Sequence, residues 1–140
     1  EGRGELPEMP ILLSFDDGRD SMYHNIYPLL KKYNYPAVYA IILSYMEMLP
    51  ADIEKMVTWD QLNEMAASGL VEVASHSSDL HNYVVSNPYG NRHHNVSTIW
   101  WNENKVYEQE NSYESRIIND LKKGKEIFKE NFHYPVNCMV

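Results

Sequence analysis

Short apolar runs along this chain alternate with segments whose apolar residues recur at helical spacing. Ile11-Leu12-Leu13-Ser14-Phe15 is a continuous run closed by Asp16-Asp17-Gly18, the pattern of a buried strand entering a turn. From Ser21 to Tyr33 the positions Met22, Ile26, Leu29, Leu30 and Tyr33 predict a helix, which Pro28 should kink or begin. The run Ala37 to Tyr45, rich in Val, Ile and Tyr, predicts a second strand. Thr58 and Gln61 then stand at capping-box spacing, Val57 and Leu62 at staple spacing, and Gly69 where a helix should stop, so a helix is expected from about Trp59 to Ser68. Leu70-Val71-Glu72-Val73-Ala74 is a third strand leading into Ser75-His76. The stretch Asn82 to Asn111 has no sustained period and reads as a long loop, and loops of such length in compact domains are commonly functional. A helix from about Tyr113 to Asn131 carries Ile117, Leu121, Phe128 and Phe132 on one stripe, and Val136 to Val140 begins a fourth strand.

Strands alternating with helices predict a parallel α/β sheet. Asp16-Asp17 and the segment His76-Ser77-Ser78-Asp79-Leu80-His81 would both leave carboxyl ends of strands, where such sheets place their sites. One carboxylate and two neutral imidazoles can hold a divalent ion with positions left open, and a second carboxylate beside them can take a proton from water. Adjacent residues at a strand end point in different directions, so Asp16 and Asp17 can divide those roles. His76 and His81, five apart, suit a loop folding back on itself better than one face of a helix. Taken singly, an Asp-Asp-Gly is more often a turn and a histidine more often a hydrogen-bonded core or surface residue. It is their joint occurrence at strand ends that points to a site.

Composition narrows the class. The 140 residues suffice for one core and one domain, and a net charge of -8, from 12 Lys+Arg against 20 Asp+Glu, argues against nucleic acid as a partner. The one cysteine, Cys138, excludes an internal disulfide framework and reads as a small buried strand residue. No stretch has the length of a transmembrane segment, and the opening Glu1-Gly2-Arg3-Gly4-Glu5 has no signal-peptide pattern.

Other candidates have simpler readings. His93-His94 is expected to be a solvated pair rather than a second metal site, and His24 and His133 ordinary helix-surface and loop residues. Trp100-Trp101 and nearby tyrosines suit stacking on sugars, but loop aromatics more often pack the loop onto the body. Ser75 and Ser77 are placed to hold the ring of His76 or its loop. The cluster Lys122-Lys123-Gly124-Lys125 reads as the wet face of the last helix, and Asn95-Val96-Ser97 as a chance match to a glycosylation acceptor.

Ser14-Phe15-Asp16-Asp17-Gly18 resembles the first motif of the polysaccharide deacetylases, the NodB-homology carbohydrate esterases of family 4, and Ser75-His76-Ser77 through His81 resembles their second. The five-residue histidine spacing, with no proline following, is similar to the branch that removes acetyl groups from poly-β-1,6-N-acetyl-D-glucosamine of biofilm matrix. Thr58-Trp59-Asp60-Gln61, Ser68-Gly69-Leu70-Val71-Glu72 and the long loop before the last helix resemble that branch too.

The resemblance implies a distorted (β/α) barrel, here in part, with residues 1–140 as the amino-terminal portion of one deacetylase domain. The third motif and the catalytic-acid histidine would then lie past Val140. It implies Asp17, His76 and His81 as ligands of one divalent metal ion, zinc or else nickel, cobalt or iron, with Asp16 as the general base. Metal-bound water would attack the acetamide of an N-acetylglucosamine polymer, and the protein would work outside the cell, at its surface or in the periplasm. Two readings compete. A sugar-binding domain with a retained metal site but no turnover is one; the other is a signalling receiver, which would need an aspartate where the third strand instead ends in Ser75-His76-Ser77.

Overall fold

The computed structural model describes residue 5 and residues 8–47 and 55–140, so the opening segment 1–4 lies outside the described residues. Three strands, β1 (Ser14–Phe15), β2 (Ala37–Ile41) and β3 (Val71–Ser75), form a parallel sheet in the order β1-β2-β3. Ser14 pairs with Val38, and β2 pairs with β3 from Ala37↔Val71 to Ile41↔Ser75. The helices between them are α1 (Tyr27–Tyr33), α2 (Leu43–Glu47) and α3 (Trp59–Ala67), with α4 (Glu110–Asn131) following β3. Central strand β2 is buried along nearly its whole length, as a parallel strand covered on both faces must be. Tyr39, Ile41, Val71 and Val73 from the sheet, Leu62 and Met65 from α3, Leu30 from α1 and Phe128 from α4 make the core.

Local chemistry explains most boundaries. Thr58 and Gln61 form the full capping box, the Gln61 N–H donating to Thr58 Oγ1 at 3.3 Å and the Thr58 N–H to Gln61 Oε1 at 2.9 Å. Val57 and Leu62, the staple pair, are both buried. Pro28 does sit in the first turn of α1, but a π-helical turn, Met22–Ile26, precedes it. That wider turn shifts the inward stripe by a residue, so Tyr27 and Leu30 are buried while Leu29 and Tyr33, expected inside, are exposed.

Four expectations need correction. The first strand is shorter than its apolar run, because Ile11 and Leu12 are 86% and 76% exposed and only Ser14 and Phe15 pair with β2. The run Ala37 to Tyr45 is not one strand: after Ile41 the N–H groups of Leu43 and Ser44 turn to the Ser77 and Ser78 carbonyls and α2 begins. A short apolar run does not distinguish a buried strand from a buried helical turn. The stretch Asn82 to Asn111 is not structureless, since β4 (Tyr83–Val85) and β5 (Arg92–His94) form an antiparallel hairpin, followed by a single 3-10 turn over Asn95–Ser97. Val136 to Val140 lies beside β3 but makes only one parallel bridge, Ser75↔Met139. Cys138 there is half-buried rather than buried, and that burial pushes its thiol pKa up.

Helix α4 starts three residues earlier than its stripe suggested and lies close over the sheet's end. Phe128 meets Trp59 edge to face, and the Asn63 side chain bridges the backbone of Asn131 and His133. Gly124 is buried among exposed lysines: a Cβ there would stand 3.4 Å from Leu43 Cδ1. Among the described residues no helix is long and apolar enough to cross a membrane.

Candidate metal centre

Both predicted motifs leave strand ends on the same side of the sheet and converge. After β1 the chain turns through Asp17 and Gly18, both with positive φ, at 75° and 89°. Glycine adopts this conformation freely, whereas Asp17 is held in it against a steric cost. The turn is tied down by backbone bonds from Val57 N–H to the Gly18 carbonyl at 2.9 Å and from Asp20 N–H to the Lys55 carbonyl at 2.8 Å. The hydroxyl of Tyr39, a buried phenol whose pKa burial pushes well up, donates to the Arg19 carbonyl at 2.6 Å. This turn separates the two carboxylates. Asp16 is exposed and accepts from Ser14 Oγ at 3.4 Å, while Asp17 faces His81, with 3.8 Å from Oδ1 to Nε2, and its other oxygen lies 3.7 Å from Arg19 Nε.

The histidine loop is built differently. The His76 N–H continues the pairing by donating to the Ile41 carbonyl, and Ser77 then takes a positive φ of 74°. Buried Ser77 accepts from the Leu80 N–H at 3.1 Å, closing the loop on itself. Asp120 of α4 accepts from the N–H groups of Ser78 and Asp79 at 2.8 and 2.7 Å, a carboxylate clamp. The expected role of Ser77 in holding the loop is thus visible, and Asp120 is a residue that sequence reasoning missed. An aspartate in mid-helix has no local signal for such a contact.

His76 Nδ1 lies 2.6 Å from the Val140 carbonyl oxygen. A carbonyl only accepts, so Nδ1 carries a proton, and in the neutral ring the lone pair is then on Nε2. Burial first, and then the nearby His76, hold the His81 imidazole below its ordinary pKa, with the Asp17 carboxylate partly opposing them. That shift favours the neutral form, in which an imidazole ligates.

Asp17, His76 and His81 each offer one ligand atom, and these atoms lie within 4.8 Å of one another. One carboxylate oxygen with two imidazole nitrogens is a donor set that fits a borderline divalent ion. Asp16 stands beside this set without joining it.

The remaining predicted candidates separate clearly. His24 is exposed on its helix and His133 is exposed beyond α4. Trp100 packs within the loop while staying 37% exposed: the Arg116 guanidinium lies 4.6 Å from its ring and its Nε1 donates to Asn95 Oδ1. Asn95 is buried and its amide donates to Asn82, so the glycosylation pattern is closed off in the fold. His93 and His94 are both exposed, but they do not form a simple solvated pair, since the His94 ring lies 5.8 Å from that of His81. The short strand β5, invisible in a loop assignment, is what carries His94 there.

The polysaccharide deacetylase family model matches residues 3–140. The chain belongs to the polysaccharide deacetylase family. It is similar to the poly-beta-1,6-N-acetyl-D-glucosamine N-deacetylase of Escherichia coli K12, with 33% identity over 91% of this chain and 21% of that protein. The enzyme of the same name from Staphylococcus aureus N315 is 30% identical over 93% of this chain and 39% of its own length. Among solved structures, a de-N-acetylase from Aggregatibacter actinomycetemcomitans superposes with a TM-score of 0.88 at 38% identity, covering 99% of this chain and 56% of that one. The BpsB deacetylase domain from Bordetella bronchiseptica gives 0.86 at 38% identity, covering 96% and 55%. The chain thus spans less than half the length of those curated relatives and just over half of the solved chains. Its parallel strands alternating with helices are the α/β fold of those structures, present in part.

Proposed function

We propose that this polysaccharide deacetylase removes acetyl groups from N-acetylglucosamine residues of a polymer, poly-β-1,6-N-acetyl-D-glucosamine, with one divalent metal ion held by Asp17, His76 and His81. The convergence of those three donors at two strand ends carries the reading. The names of the similar enzymes support the choice of polymer. Zinc, nickel, cobalt and iron all suit the donor set. When bound, the ion supplies Lewis acidity at the acetamide carbonyl and toward the attacking water.

The chain's own residues do the rest. Asp16, exposed and outside the ligand set, takes the proton from the attacking water, and the Ser14 hydroxyl orients its carboxylate. His76, its Nδ1 fixed by the Val140 carbonyl, presents Nε2 in one orientation. Residues 1–140 act as the amino-terminal portion of a single deacetylase domain, and the acid that protonates the leaving amine comes from elsewhere in it. A matrix polymer as substrate places the protein outside the cell, at its surface or in the periplasm.

The test uses the complete domain, with metal content and amine release from acetylated β-1,6-glucosamine oligomers as readouts. Asp17→Ala and His76→Ala should each lose both, and Asp16→Asn should keep the metal while losing activity by about 100-fold or more. Unchanged metal content and amine release in Asp17→Ala and His76→Ala would sink the reading. Wild-type domain that binds metal and oligomer yet releases no amine would instead be a sugar-binding module.

A further inference from the structure

Four aromatic rings run outward from the candidate metal centre. The His76 and His81 rings lie 4.9 Å apart, His81 and His94 5.8 Å, and His94 and Tyr83 4.3 Å. Tyr83 and His94 are directly opposite one another across the β4–β5 hairpin, so their side chains share a face. His94 also helps line a cavity of about 420 Å³ together with His76, Ser77, Leu80, His81 and Val96.

Apart from the contact of His94 with His81, the hairpin is secured to the body by other residues. An isolated two-stranded hairpin is marginal, and here other residues brace it. Asn95 donates through its N–H to the Asn82 carbonyl at 2.9 Å and through its amide to Asn82 Oδ1 at 2.8 Å. The Arg116 guanidinium of α4 reaches the Asn95 carbonyl and side chain at 2.9 and 2.7 Å, and Trp100 closes over it. Tyr83 remains 52% exposed and His94 exposed, on a platform already fixed in place. Exposed aromatic area that is rigid and contiguous with a reactive cluster is the surface a partly apolar ligand recognises.

We propose that Tyr83 and His94 form a stacking subsite for a pyranose ring of the substrate, next to the residue being deacetylated. The inference rests on the deacetylase reading and specifies where its polymer lies. A β-linked glucosamine ring carries its substituents equatorially, so each face is a patch of C–H groups that can lie on an aromatic ring while the hydroxyls stay wet. Tyr83 offers that apolar body with a polar tip.

The experiment uses the complete metal-loaded protein, with an acetylated β-1,6-glucosamine pentamer and a single-sugar acetamide as substrates. Tyr83→Ala and His94→Ala should each raise KM for the pentamer roughly three- to tenfold with kcat much less affected, and the loss should be smaller on the single sugar. Tyr83→Phe, which keeps the ring, should restore the pentamer KM. The double variant should lose less than the product of the single losses, because the two rings make one surface. Unchanged pentamer KM in both alanine variants of an active enzyme overturns the subsite and leaves the deacetylase reading standing. A fall in kcat without a rise in KM for His94→Ala also overturns it, by placing that ring in the chemistry. If wild-type protein neither binds nor deacetylates either sugar, the deacetylase reading itself fails and the subsite falls with it.

Discussion

The acidic turn after β1 and the histidine loop after β3 reach the same place by different means. Each holds one non-glycine residue at a positive φ, Asp17 at 75° and Ser77 at 74°. Such strain persists only where the surroundings over-determine the backbone. In the acidic turn the constraint is nearly all main chain: Gly18 and Asp20 bond to residues 55–57, and a Cβ on Gly18 would stand 3.2 Å from Met56 Cε. In the histidine loop main-chain bonds to Leu43 and Ser44 are joined by a carboxylate on α4, forty-two residues from Ser78. One half of the site is thus fixed by backbone and lack of space, the other by backbone together with a remote side chain. The two halves should fail differently.

The largest effect is expected at Gly18. Gly18→Val imposes a branched side chain at φ 89° and crowds Met56 and Ile41, and should cost about 2–4 kcal/mol. Urea unfolding measures it; a loss under about 1 kcal/mol would mean the turn yields more easily than its bonds to residues 55–57 suggest. Acid should act on the other half. Because the folded His81 has a lowered pKa, the unfolded chain binds more protons, so metal-free protein loses stability as pH falls through the ordinary histidine range. Protons also compete for both imidazoles, and metal affinity by titration calorimetry should drop about tenfold or more from about pH 7.5 to about pH 5. Affinity independent of pH over that span would remove the histidines from the ligand set.

Asp120 offers a sharper cut. Asp120→Ala strips both acceptors from the Ser78 and Asp79 N–H groups and should cost about 1–2 kcal/mol. Metal affinity should fall with it by roughly tenfold, as for other groups that orient ligands. Asp120→Asn, which keeps one acceptor, belongs between Asp120→Ala and wild type, and equal affinities across all three would dissolve the contrast between the two halves. The smallest effect serves as a control. Thr58→Ala breaks the capping box of α3 for about 1 kcal/mol and should leave metal affinity untouched, whereas a change in affinity would show that α3 also positions the site.

How much of this was legible in the sequence follows the same division. The meeting of Asp17, His76 and His81 was readable because strand ends and turn residues are local signals, and the structure does bring those three together. The capping box at Thr58 and Gln61 was readable for the same reason. Asp120 was not, because its contact with Ser78 depends on where α4 docks, and nothing near position 120 encodes that. His94 was hidden by a strand of three exposed residues, too short and too polar to show alternation. Leu29 and Tyr33 were misplaced because a π-helical turn adds a residue that no regular period anticipates.

Gly124 has a further consequence, for how freely this surface can vary. Its neighbours Lys122, Lys123 and Lys125 are exposed, so a mutational scan of that helix should find most substitutions accepted on either side of it. At position 124 the space ends at a methyl group, 3.4 Å from Leu43 and 3.9 Å from Ser78 Cβ. A longer side chain would press on Leu43 and Ser78 one turn along from Asp120. A lysine-rich stretch that looks interchangeable thus contains one position where a methyl group already reaches contact distance, and that restriction is set by the distance from helix to loop rather than by any chemistry of its own.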